Sequence, residues 1–412
     1  MTQAPLPPIH VLGCGIGRPT LPPEAAAALD AADVLVGGRR LLAAFPDHPG
    51  RRLPIAGPLH AVCDAVAAAR QAGENVAVLA DGDGLYFGIG KTLLARFGPQ
   101  ALRFYPNVTT VAVACSRLGR PWDNLPVVSL HGRSDVTPLF AALARHGAAA
   151  VYTDAANSPA AIASALLARG GNTFAMTIGE NLGLPGERLR RLPLAEAAAT
   201  ETAPLSLALI ERTAPPAAPL HLGLADDALF RDDAVFTKIP ARAVSLAVLA
   251  ARPGQVVWDI GAGTGAVALE ASLLCAPGPV FAVERDPARH AHLVANIQRT
   301  GALTVCPVLA AAPEGLEALP DPERVFVGGG LSGNPGLLPE LCRRLAPGGR
   351  LVVNAVLLGS LTNALDVLAA HGLETAVTQI QAAKGLPIAQ DLRLAADNPV
   401  FIIAAAKEAA HG

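Results

Sequence analysis

The stretch Val256–Ala271, with the sequence VVWDIGAGTGAVALEA, decides the fold of the C-terminal half of the chain. A short apolar run ends at Asp259, glycines then alternate at Gly261, Gly263 and Gly265, and the apolar residues after them have helical spacing. A strand, a tight glycine loop and a helix start in this order predict the first βα unit of a doubly wound sheet. The spacing G-x-G-x-G differs from the dinucleotide fingerprint G-x-G-x-x-G, so a dinucleotide is not the favoured ligand.

A glutamate at the end of the next predicted strand adds to this pattern. In PVFAVERDP, Glu284 stands where a carboxylate accepts hydrogen bonds from ribose hydroxyls. NAD and S-adenosylmethionine (SAM) both carry a ribose, so Glu284 alone does not separate them. The aspartate before the glycines suits a ligand with an ammonium group better than one with two phosphates. Together the two motifs resemble the SAM site of Rossmann-type methyltransferases, and a dinucleotide or a turn without a ligand stays open as an alternative.

The composition indicates a globular chain of two or three domains. It has 412 residues, of which 51% are hydrophobic and 16% charged, and its net charge of −2 gives little support for a nucleic-acid partner. The start of the sequence lacks a basic segment followed by an apolar one, and no apolar run is long enough to span a bilayer. We therefore expect a cytoplasmic protein without a membrane partner. The six cysteines are scattered without a C-x-x-C pair and the histidines form no cluster, so we expect reduced thiols and no metal site.

A proline-rich break divides the chain into two halves. Residues 211–223, ERTAPPAAPLHLG, have no apolar periodicity, and each side has its own strand and helix pattern. The expected division is a domain of residues 1–212, a linker of residues 213–220 and a domain of residues 221–412. Each half is expected to fold alone. The segment NPVFIIAAA near the end predicts a late strand, interpreted as an antiparallel edge strand.

The N-terminal half contains three polar or glycine-rich loops after predicted strands. The first has Gly13, Gly15 and Gly17, and the prolines that follow delay the next helix. The second, DGDG, has Gly82 and Asp83, and the third begins YPNVTT. Each loop by itself is consistent with an ordinary turn. Three of them near the ends of adjacent strands predict a cleft.

The order of these motifs resembles two known families. The segments VLGCGIG, LVGGRRLL, DGDGLYFGIG, YPNVTTVAVACSRLG and VVSLHGR resemble the tetrapyrrole (corrin/porphyrin) methylases. The sequence from DDALFRDDAVFTKIPARAVSLAVL through VVWDIGAGTG, VFAVERDP, AAAPEGL, VFVGGG and LAPGGRLVVNAV resembles the precorrin C-15 methylases/decarboxylases. Fused in this order, the halves resemble the decarboxylating precorrin-6Y C-5,15-methyltransferases of cobalamin biosynthesis.

The resemblance implies a fold, a reaction and a set of partners. The fold would be α/β, with an N-terminal tetrapyrrole-methylase fold of two α/β subdomains before a C-terminal Rossmann-like SAM-dependent methyltransferase domain. The reaction would be methylation of a precorrin at C-5 and C-15, with decarboxylation of the acetate at C-12. SAM would bind once in each domain, the substrate would be a small-molecule tetrapyrrole, and the chain would form a homo-oligomer. A SAM-dependent RNA methyltransferase and a non-enzymatic nucleotide-sensing protein stay as alternatives.

The resemblance also implies site residues in each half. The expected cofactor-binding residues of the C-terminal half are Thr237, Asp259, Gly261, Ala262, Gly263, Thr264, Gly265, Glu284 and Ala312. Those of the N-terminal half are Gly13, Gly15, Gly17, Gly82, Asp83, Thr109 and Thr110. Lys238 and Asn354 are the catalytic candidates, Lys238 because an ammonium can face a substrate carboxylate. The arginines considered for the substrate carboxylates are Arg117, Arg133, Arg242 and Arg393.

Two motifs depart from the usual family pattern. The S-G-D-P loop of the N-terminal half is Asp81-Gly82-Asp83-Gly84 here, so a hydroxyl and a rigid proline are absent. The G-D-A-P segment of the C-terminal half is Ala310-Ala311-Ala312-Pro313, which lacks the acidic partner expected for an adenine edge.

Overall fold

The computed structural model describes residues 6–230, 237–331 and 333–409. Residues 231–236, which belong to the quoted segment DDALFRDDAVFTK, lie outside the described residues. The described chain forms a five-stranded sheet, a second five-stranded sheet, a seven-stranded sheet and a two-stranded hairpin. This is the α/β architecture expected from the sequence, with two subdomains followed by a Rossmann-like domain.

The first subdomain is a parallel sheet with helices between its strands. Its strands are β1 (Ile9–Gly13), β2 (Val34–Gly37), β3 (Arg51–Pro54), β4 (Val76–Ala80) and β5 (Leu102–Tyr105). Its helices are α1 (Pro23–Asp30), α2 (Arg39–Ala43), α3 (Leu59–Gln71) and α4 (Gly90–Phe97). The strand order is β3-β2-β4-β1-β5, which brings the carboxyl ends of β1 and β4 side by side. Since α1 begins only at Pro23, the predicted delay after the first glycine loop is confirmed.

The second subdomain is a mixed sheet in the order β6-β7-β10-β8-β9. Its strands are β6 (Val127–Ser129), β7 (Ala148–Tyr152), β8 (Phe174–Glu180), β9 (Arg188–Pro193) and β10 (Ser206–Arg212). Its helices are α5 (Thr110–Arg117), α6 (Thr137–His146), α7 (Pro159–Ala168) and α8 (Leu194–Ala198). Helix α5 begins at the third predicted loop, so this loop joins the first sheet to the second subdomain.

The C-terminal half is a seven-stranded sheet in the order β13-β12-β11-β14-β15-β19-β16. Its strands are β11 (Val257–Ile260), β12 (Val280–Glu284), β13 (Val305–Leu309), β14 (Arg324–Val327), β15 (Arg350–Ala355), β16 (Glu374–Ile380) and β19 (Val400–Ala406). The hairpin β17 (Ala383–Ile388) and β18 (Asp391–Ala396) lies between β16 and β19 in sequence. The helices are α9 (Ile239–Leu249), α10 (Ala266–Cys275), α11 (Pro287–Thr300), α12 (Leu337–Arg344) and α13 (Leu358–Ala370).

The late strand lies where the sequence predicted it and is antiparallel, but it is not an edge strand. Strand β19 is antiparallel to β15, as expected, but β16 pairs with its other side, so β16 and not β19 is the edge. The first five strands of the sheet are parallel, and the order reverses between β11 and β14. In open α/β sheets such a reversal opens a crevice at the carboxyl ends of the strands, which is where ligands bind.

The two halves pack on each other through the turn between α11 and β13. Leu303 of this turn is 1% exposed and belongs to the apolar cluster of the second subdomain, together with Leu139 and Phe140. The Arg169 guanidinium donates to the Leu303 carbonyl at 3.0 Å. In the linker, the Ala218 amide donates to the Arg299 carbonyl at 3.0 Å. The proline-rich segment is therefore held against the C-terminal half.

The described part of the chain lacks a membrane-spanning helix and a cluster of metal-binding side chains. It contains no helix that is both long and apolar enough to cross a bilayer. The same residues include no group of three or more His, Cys, Asp or Glu side chains arranged to hold a metal ion.

Candidate active site

A cavity of about 610 Å³ opens at the carboxyl ends of β11, β14 and β15. Its volume is in the range of sites for cofactors and other small molecules. Eight of the predicted site residues line it: Thr237, Lys238, Asp259, Gly261, Ala262, Gly263, Thr264 and Asn354. The walls also include the apolar residues Phe326, Val356, Ile380 and Val400.

The glycine loop after β11 forms one end of this cavity. Gly261 and Gly263 have φ angles of 70° and 57°, a region that favours glycine. A Cβ added at Gly261 would lie 3.2 Å from the Gly329 carbonyl oxygen, so the loop after β14 packs closely against it. A Cβ at Gly263 would meet no atom within 4 Å. The backbone at Gly263 is therefore open to a ligand in the cavity.

Asp259, the last polar residue of β11, is buried with one carboxylate oxygen unused. Its Oδ2 accepts from the Ala268 amide at 2.9 Å, whereas its Oδ1 is buried without a hydrogen-bond partner. Burial raises the pKa of the Asp259 carboxyl to about 7, and the nearby charge of Glu284 acts in the same direction. A buried carboxylate without a cation is costly, and a ligand ammonium group in the cavity would supply that cation.

Glu284 holds the glycine loop in place. Its Oε2 accepts from the Gly263 amide at 2.8 Å and its Oε1 from the Asp286 amide at 2.9 Å. Each carboxylate oxygen has a second lone pair, so these bonds leave capacity for ribose hydroxyls. Glu284 is buried and is not among the residues that line the cavity.

Gly265 and Ala312, the other two cofactor candidates of this half, also lie outside the lining. Gly265 caps the start of α10. The Ala312 carbonyl accepts from the Asn334 side chain at 2.7 Å, which ties the segment after β13 to the loop after β14. Gly265 and Ala312 therefore hold the neighbouring loops in place and do not contact the cavity directly.

The two catalytic candidates lie at the side of the cavity formed by α9, β15 and the start of β19. Lys238 precedes α9, and its ammonium group pairs with the Asp397 carboxylate. The Asn354 Oδ1 accepts from the Ser245 hydroxyl at 3.0 Å. The Asn354 Nδ2 and the Asp397 Oδ2 are buried without partners. With Asp259, three cavity-lining residues thus present unpartnered polar atoms, the pattern expected of a ligand site.

Arg242, considered for a substrate carboxylate, has a different role. It is 1% exposed, and its guanidinium donates to Glu270 at 2.7 Å and to the carbonyls of Leu224 and Thr237 at 2.5 and 2.8 Å. These bonds fix the segment that leads into the cavity from Thr237. Sequence position alone did not reveal the buried partner, Glu270.

The remaining arginines considered for the substrate are exposed on other elements. Arg117, at the end of α5, donates to Glu187 at 2.7 Å. Arg133 follows β6, and Arg393 lies on β18. None of these three lines the cavity as the described residues define it.

Asp397 and Asn398 were not predicted as site residues, although both line the cavity. They enter from the connection between β18 and β19, far along the chain from the glycine loop. The signal in the sequence was the segment Asp-Asn-Pro directly before the late strand, a turn with polar groups at a strand end. Arg289 of α11, which also lines the cavity, carried no comparable signal.

In the N-terminal half, the structure brings the three predicted loops together. Gly15 and Gly82 form an antiparallel bridge, with amide-to-carbonyl distances of 3.3 and 2.9 Å. The Asn107 side chain donates to the carbonyls of Gly13 and Thr20 at 2.8 and 2.6 Å. A Cβ at Gly17 would lie 2.0 Å from the Gly183 carbonyl, so this loop also contacts the second subdomain. Asn107, which the sequence analysis missed, therefore ties the first loop to the third.

Two polar side chains of these loops, Asp83 and Thr109, bond to nearby backbone amides. Asp83 accepts from the Leu85 amide at 2.8 Å, and Thr109 caps α5 by accepting from the Ala112 amide at 3.2 Å. Thr110 begins α5 and lies against Tyr152, whose pKa burial raises to about 12. Asp81, which replaces a serine of the usual family pattern, pairs with Arg40.

Two family models match the chain, one in each half. The tetrapyrrole (corrin/porphyrin) methylases match residues 8–198, and a precorrin methyltransferase domain matches residues 228–407. A precorrin-6Y C(5,15)-methyltransferase [decarboxylating] of Sinorhizobium is 35% identical over 291 residues, which cover 69% of this chain and 69% of the relative. The chain belongs to this family.

Two further relatives are each named for methylation at a single position, and a solved structure is named for both positions. A cobalt-precorrin-7 C(5)-methyltransferase of Salmonella typhimurium is 39% identical, covering 45% of this chain and 90% of the relative. A probable cobalt-precorrin-6B C(15)-methyltransferase (decarboxylating) of Pyrobaculum calidifontis is 37% identical, covering 44% of this chain and 95% of the relative. The crystal structure of a precorrin-6Y C5,15-methyltransferase from Geobacter metallireducens is 39% identical, with a TM-score of 0.44, covering 45% of this chain and 98% of that one.

The chain is therefore a SAM-dependent C-methyltransferase of the decarboxylating precorrin type, acting in cobalamin biosynthesis. The comparisons support this prediction over the RNA methyltransferase and the nucleotide-sensing protein. The described residues fit SAM in the C-terminal half, because the unpartnered Asp259 oxygen and the open backbone of Gly263 face one cavity.

Proposed function

We propose that each half of the chain carries one methyl transfer, with one SAM bound in each. The N-terminal half, residues 1–212, methylates C-5 of the precorrin. The C-terminal half, residues 221–412, methylates C-15 and removes carbon dioxide from the C-12 acetate. The support is the match of separate family models to the two halves, together with two relatives named for the single activities.

The observation that carries the proposal for the C-terminal half is the set of unpartnered polar atoms around one cavity. The Asp259 Oδ1 would accept from the ammonium group of SAM, and the Gly263 backbone would lie against its chain. The second lone pairs of Glu284 would accept from the ribose hydroxyls. When bound, SAM supplies an electrophilic methyl group on a sulfonium sulfur.

The residues of the cavity promote methyl transfer by holding the substrate in place, and none of them has to act as a strong base. The reacting carbon of a reduced tetrapyrrole has enamine character, so it is nucleophilic without a strong protein base. The apolar walls at Phe326, Ile380 and Val400 would exclude water and hold the ring. Holding the ring carbon and the methyl group of SAM in line contributes a large part of the rate enhancement of methyl transfer. Asn354, with its unpartnered Nδ2, would donate to a carboxylate of the substrate.

In the N-terminal half, the loops at Gly13–Gly17, Gly82–Asp83 and Thr109–Thr110 would hold SAM mainly through backbone groups. Their side chains already bond to the loops themselves. Leu85, Phe87 and Val108, which are about half exposed, form an apolar rim beside these loops that suits a tetrapyrrole ring.

The proposal includes a cytoplasmic location and a homo-oligomer. The hairpin β17–β18 exposes the large apolar side chains Leu386, Ile388, Leu392 and Leu394, a surface that a second copy of the chain would cover. Sedimentation of the purified chain tests this part of the proposal, and a monomer at all concentrations would contradict it.

The central test combines calorimetry with mass spectrometry. Titration with SAM is expected to give two sites per chain, and incubation with SAM and precorrin-6Y is expected to add two methyl groups with loss of carbon dioxide. One SAM site, or methylation of RNA without action on precorrin-6Y, would refute the proposal.

A further inference from the structure

We propose that Lys238 supplies the proton that replaces carbon dioxide on the substrate acetate, and that Asp397 positions Lys238 for this step. The inference rests on the proposed function of the C-terminal half and assigns one of its steps to a pair of side chains. Both residues line the cavity, Lys238 from the start of α9 and Asp397 from the connection between β18 and β19.

The ion pair makes Lys238 a poor anchor for a substrate carboxylate. Its ammonium group is already paired with the Asp397 carboxylate, whose side chain is 17% exposed. The second oxygen of Asp397 is buried without a partner and repels a carboxylate that approaches the lysine. The unpartnered Nδ2 of Asn354, in the same cavity, is a better donor for the acetate because it has no competing acceptor.

The reaction needs a proton donor at this point. Loss of carbon dioxide leaves an electron pair on the methylene carbon, shared with the conjugated ring, and this carbon must gain a proton to become a methyl group. The cavity has two basic lining residues in the described chain, Lys238 and Arg289. A guanidinium stays protonated in proteins, so Arg289 cannot deliver a proton, whereas an ammonium group can.

In this step the carbon–carbon bond breaks first and Lys238 then protonates the carbon. The bond between the methylene carbon and the carboxylate breaks, carbon dioxide leaves, and the electron pair stays on the methylene carbon and the ring. Lys238 donates a proton to this carbon and becomes a neutral amine. Because its side chain is 44% exposed, the amine regains a proton from solvent. Asp397 keeps the ammonium group aimed into the cavity through the ion pair.

The test separates proton donation from positive charge. The full-length enzyme with Lys238→Ala is incubated with SAM and precorrin-6Y, and the products are resolved by mass spectrometry. Methylation at C-15 is expected to continue, while loss of carbon dioxide slows by roughly 100-fold, the usual contribution of a general acid. Added methylammonium, which carries protons, is expected to restore decarboxylation. Tetramethylammonium, which has the charge without a proton, is expected to leave it slow.

Asp397 is tested by its own variants. Asp397→Asn is expected to slow decarboxylation by about tenfold, less than removal of the proton donor, and Asp397→Glu is expected to recover most of this loss. Glu340→Gln, which breaks an exposed ion pair with Arg343 on α12, is the matched control and is expected to behave as wild type.

A binding measurement gives a readout without turnover. In the presence of S-adenosylhomocysteine, Lys238→Ala and Asp397→Asn are expected to bind precorrin-6Y within about threefold of wild type, since Asn354 is the anchor. A loss of about 100-fold for Lys238→Ala would show that Lys238 is the anchor and overturn the inference. Decarboxylation at the wild-type rate in Lys238→Ala, or equal rescue by both cations, would overturn it as well. Failure of the wild-type enzyme to methylate precorrin-6Y would instead refute the proposed function, and the inference would fall with it.

Discussion

Asp259, Asn354 and Asp397 in the C-terminal half each leave one buried polar atom without a partner. In the N-terminal loops, by contrast, the side chains of Asp83, Asn107 and Thr109 bond to neighbouring backbone. Of the buried unpartnered side-chain atoms in the described residues of the N-terminal half, Arg120 Nη1 and Arg190 Nε, neither belongs to those loops. The C-terminal site thus has buried side-chain atoms that can hydrogen-bond to a ligand. The N-terminal site is organised by loops that stabilise one another and offer backbone groups.

This difference predicts how the two sites respond to substitution. A side chain that meets the ligand directly controls affinity, so changes in the C-terminal cavity should have large and local effects. A side chain that shapes a loop acts through the loop, and since several bonds share that work, the loss of one should have a smaller effect.

The largest effect is expected from the double substitution Gly263→Val and Glu284→Ala. A valine at a φ of 57° is strained, and its side chain would occupy the open side of the loop, where the cofactor is proposed to lie. The alanine removes the carboxylate that holds the Gly263 amide and would meet the ribose. SAM binding in the C-terminal half and methylation at C-15 should be abolished, while methylation at C-5 continues. Calorimetry should find one remaining site per chain, and two retained sites would contradict the assigned cavity.

The second effect concerns the contact between the halves. Leu303 is buried in the apolar cluster of the second subdomain, so Leu303→Ala should lower stability by about 2–5 kcal/mol. Leu273→Ala on α10, where the side chain is 44% exposed, is the control and should change stability by no more than about 0.5 kcal/mol. Thermal unfolding measures both. Unchanged stability of Leu303→Ala would mean that the halves do not depend on this contact.

The Leu303 contact also bears on the prediction that the two halves fold separately. Residues 1–212 and 221–412, expressed separately, are still expected to fold, because each has its own sheet and apolar clusters. The separate halves should nevertheless be less stable than the intact chain, since Leu303 and its neighbours become exposed. Two insoluble or unfolded fragments would refute the division into domains.

The third effect is the contribution of Asp259 to the pH dependence of stability and of SAM binding. Its pKa in the folded chain is about 7, above the ordinary value of 3.8. Between these values the folded chain keeps the proton that the unfolded chain loses, so the contribution of Asp259 to stability without ligand falls as pH rises from 4 to 7, by at most about 1.4 kcal/mol per pH unit. An ammonium group prefers the ionised carboxyl. SAM affinity in the C-terminal half should therefore increase as pH rises to 7 and then level off, by at most about tenfold per unit.

Asp259→Asn removes the titrating group and separates this effect from others. SAM affinity should become weaker and lose its dependence on pH between 6 and 8, as measured by calorimetry on the full-length chain. The pH dependence of SAM binding at the N-terminal site should be the same in the wild type and in Asp259→Asn. A wild-type slope that persists in Asp259→Asn would assign the pH dependence to another group.

The sequence predicted the parts of the site that are local in the chain. The glycine loop, Asp259 and strands β11 and β12 lie where the apolar pattern placed them, because a strand, a turn and a helix start each have a short-range signal. The prediction that β19 is an edge strand was wrong because strand order depends on pairings that the order along the chain does not contain. Asp397 and Glu270 were missed for the same reason. Asp397 pairs with Lys238, and Glu270 pairs with Arg242, only after the chain has folded.

The smallest effect is expected from Asp83→Ala in the N-terminal half. The Asp83 carboxylate accepts from the Leu85 amide at 2.8 Å and shapes the loop next to Gly82, which bridges to Gly15. A bond to an exposed carboxylate contributes about 1.5 kcal/mol, so methylation at C-5 should fall by about tenfold. Methylation at C-15 and decarboxylation should be unchanged, because the cavity of the C-terminal half is built from other residues. Asp83→Asn keeps an oxygen acceptor and should recover most of the C-5 activity. If Asp83→Ala instead abolishes C-5 methylation and Asp83→Asn does not restore it, the carboxylate contacts a ligand directly, and the N-terminal site would then resemble the C-terminal one.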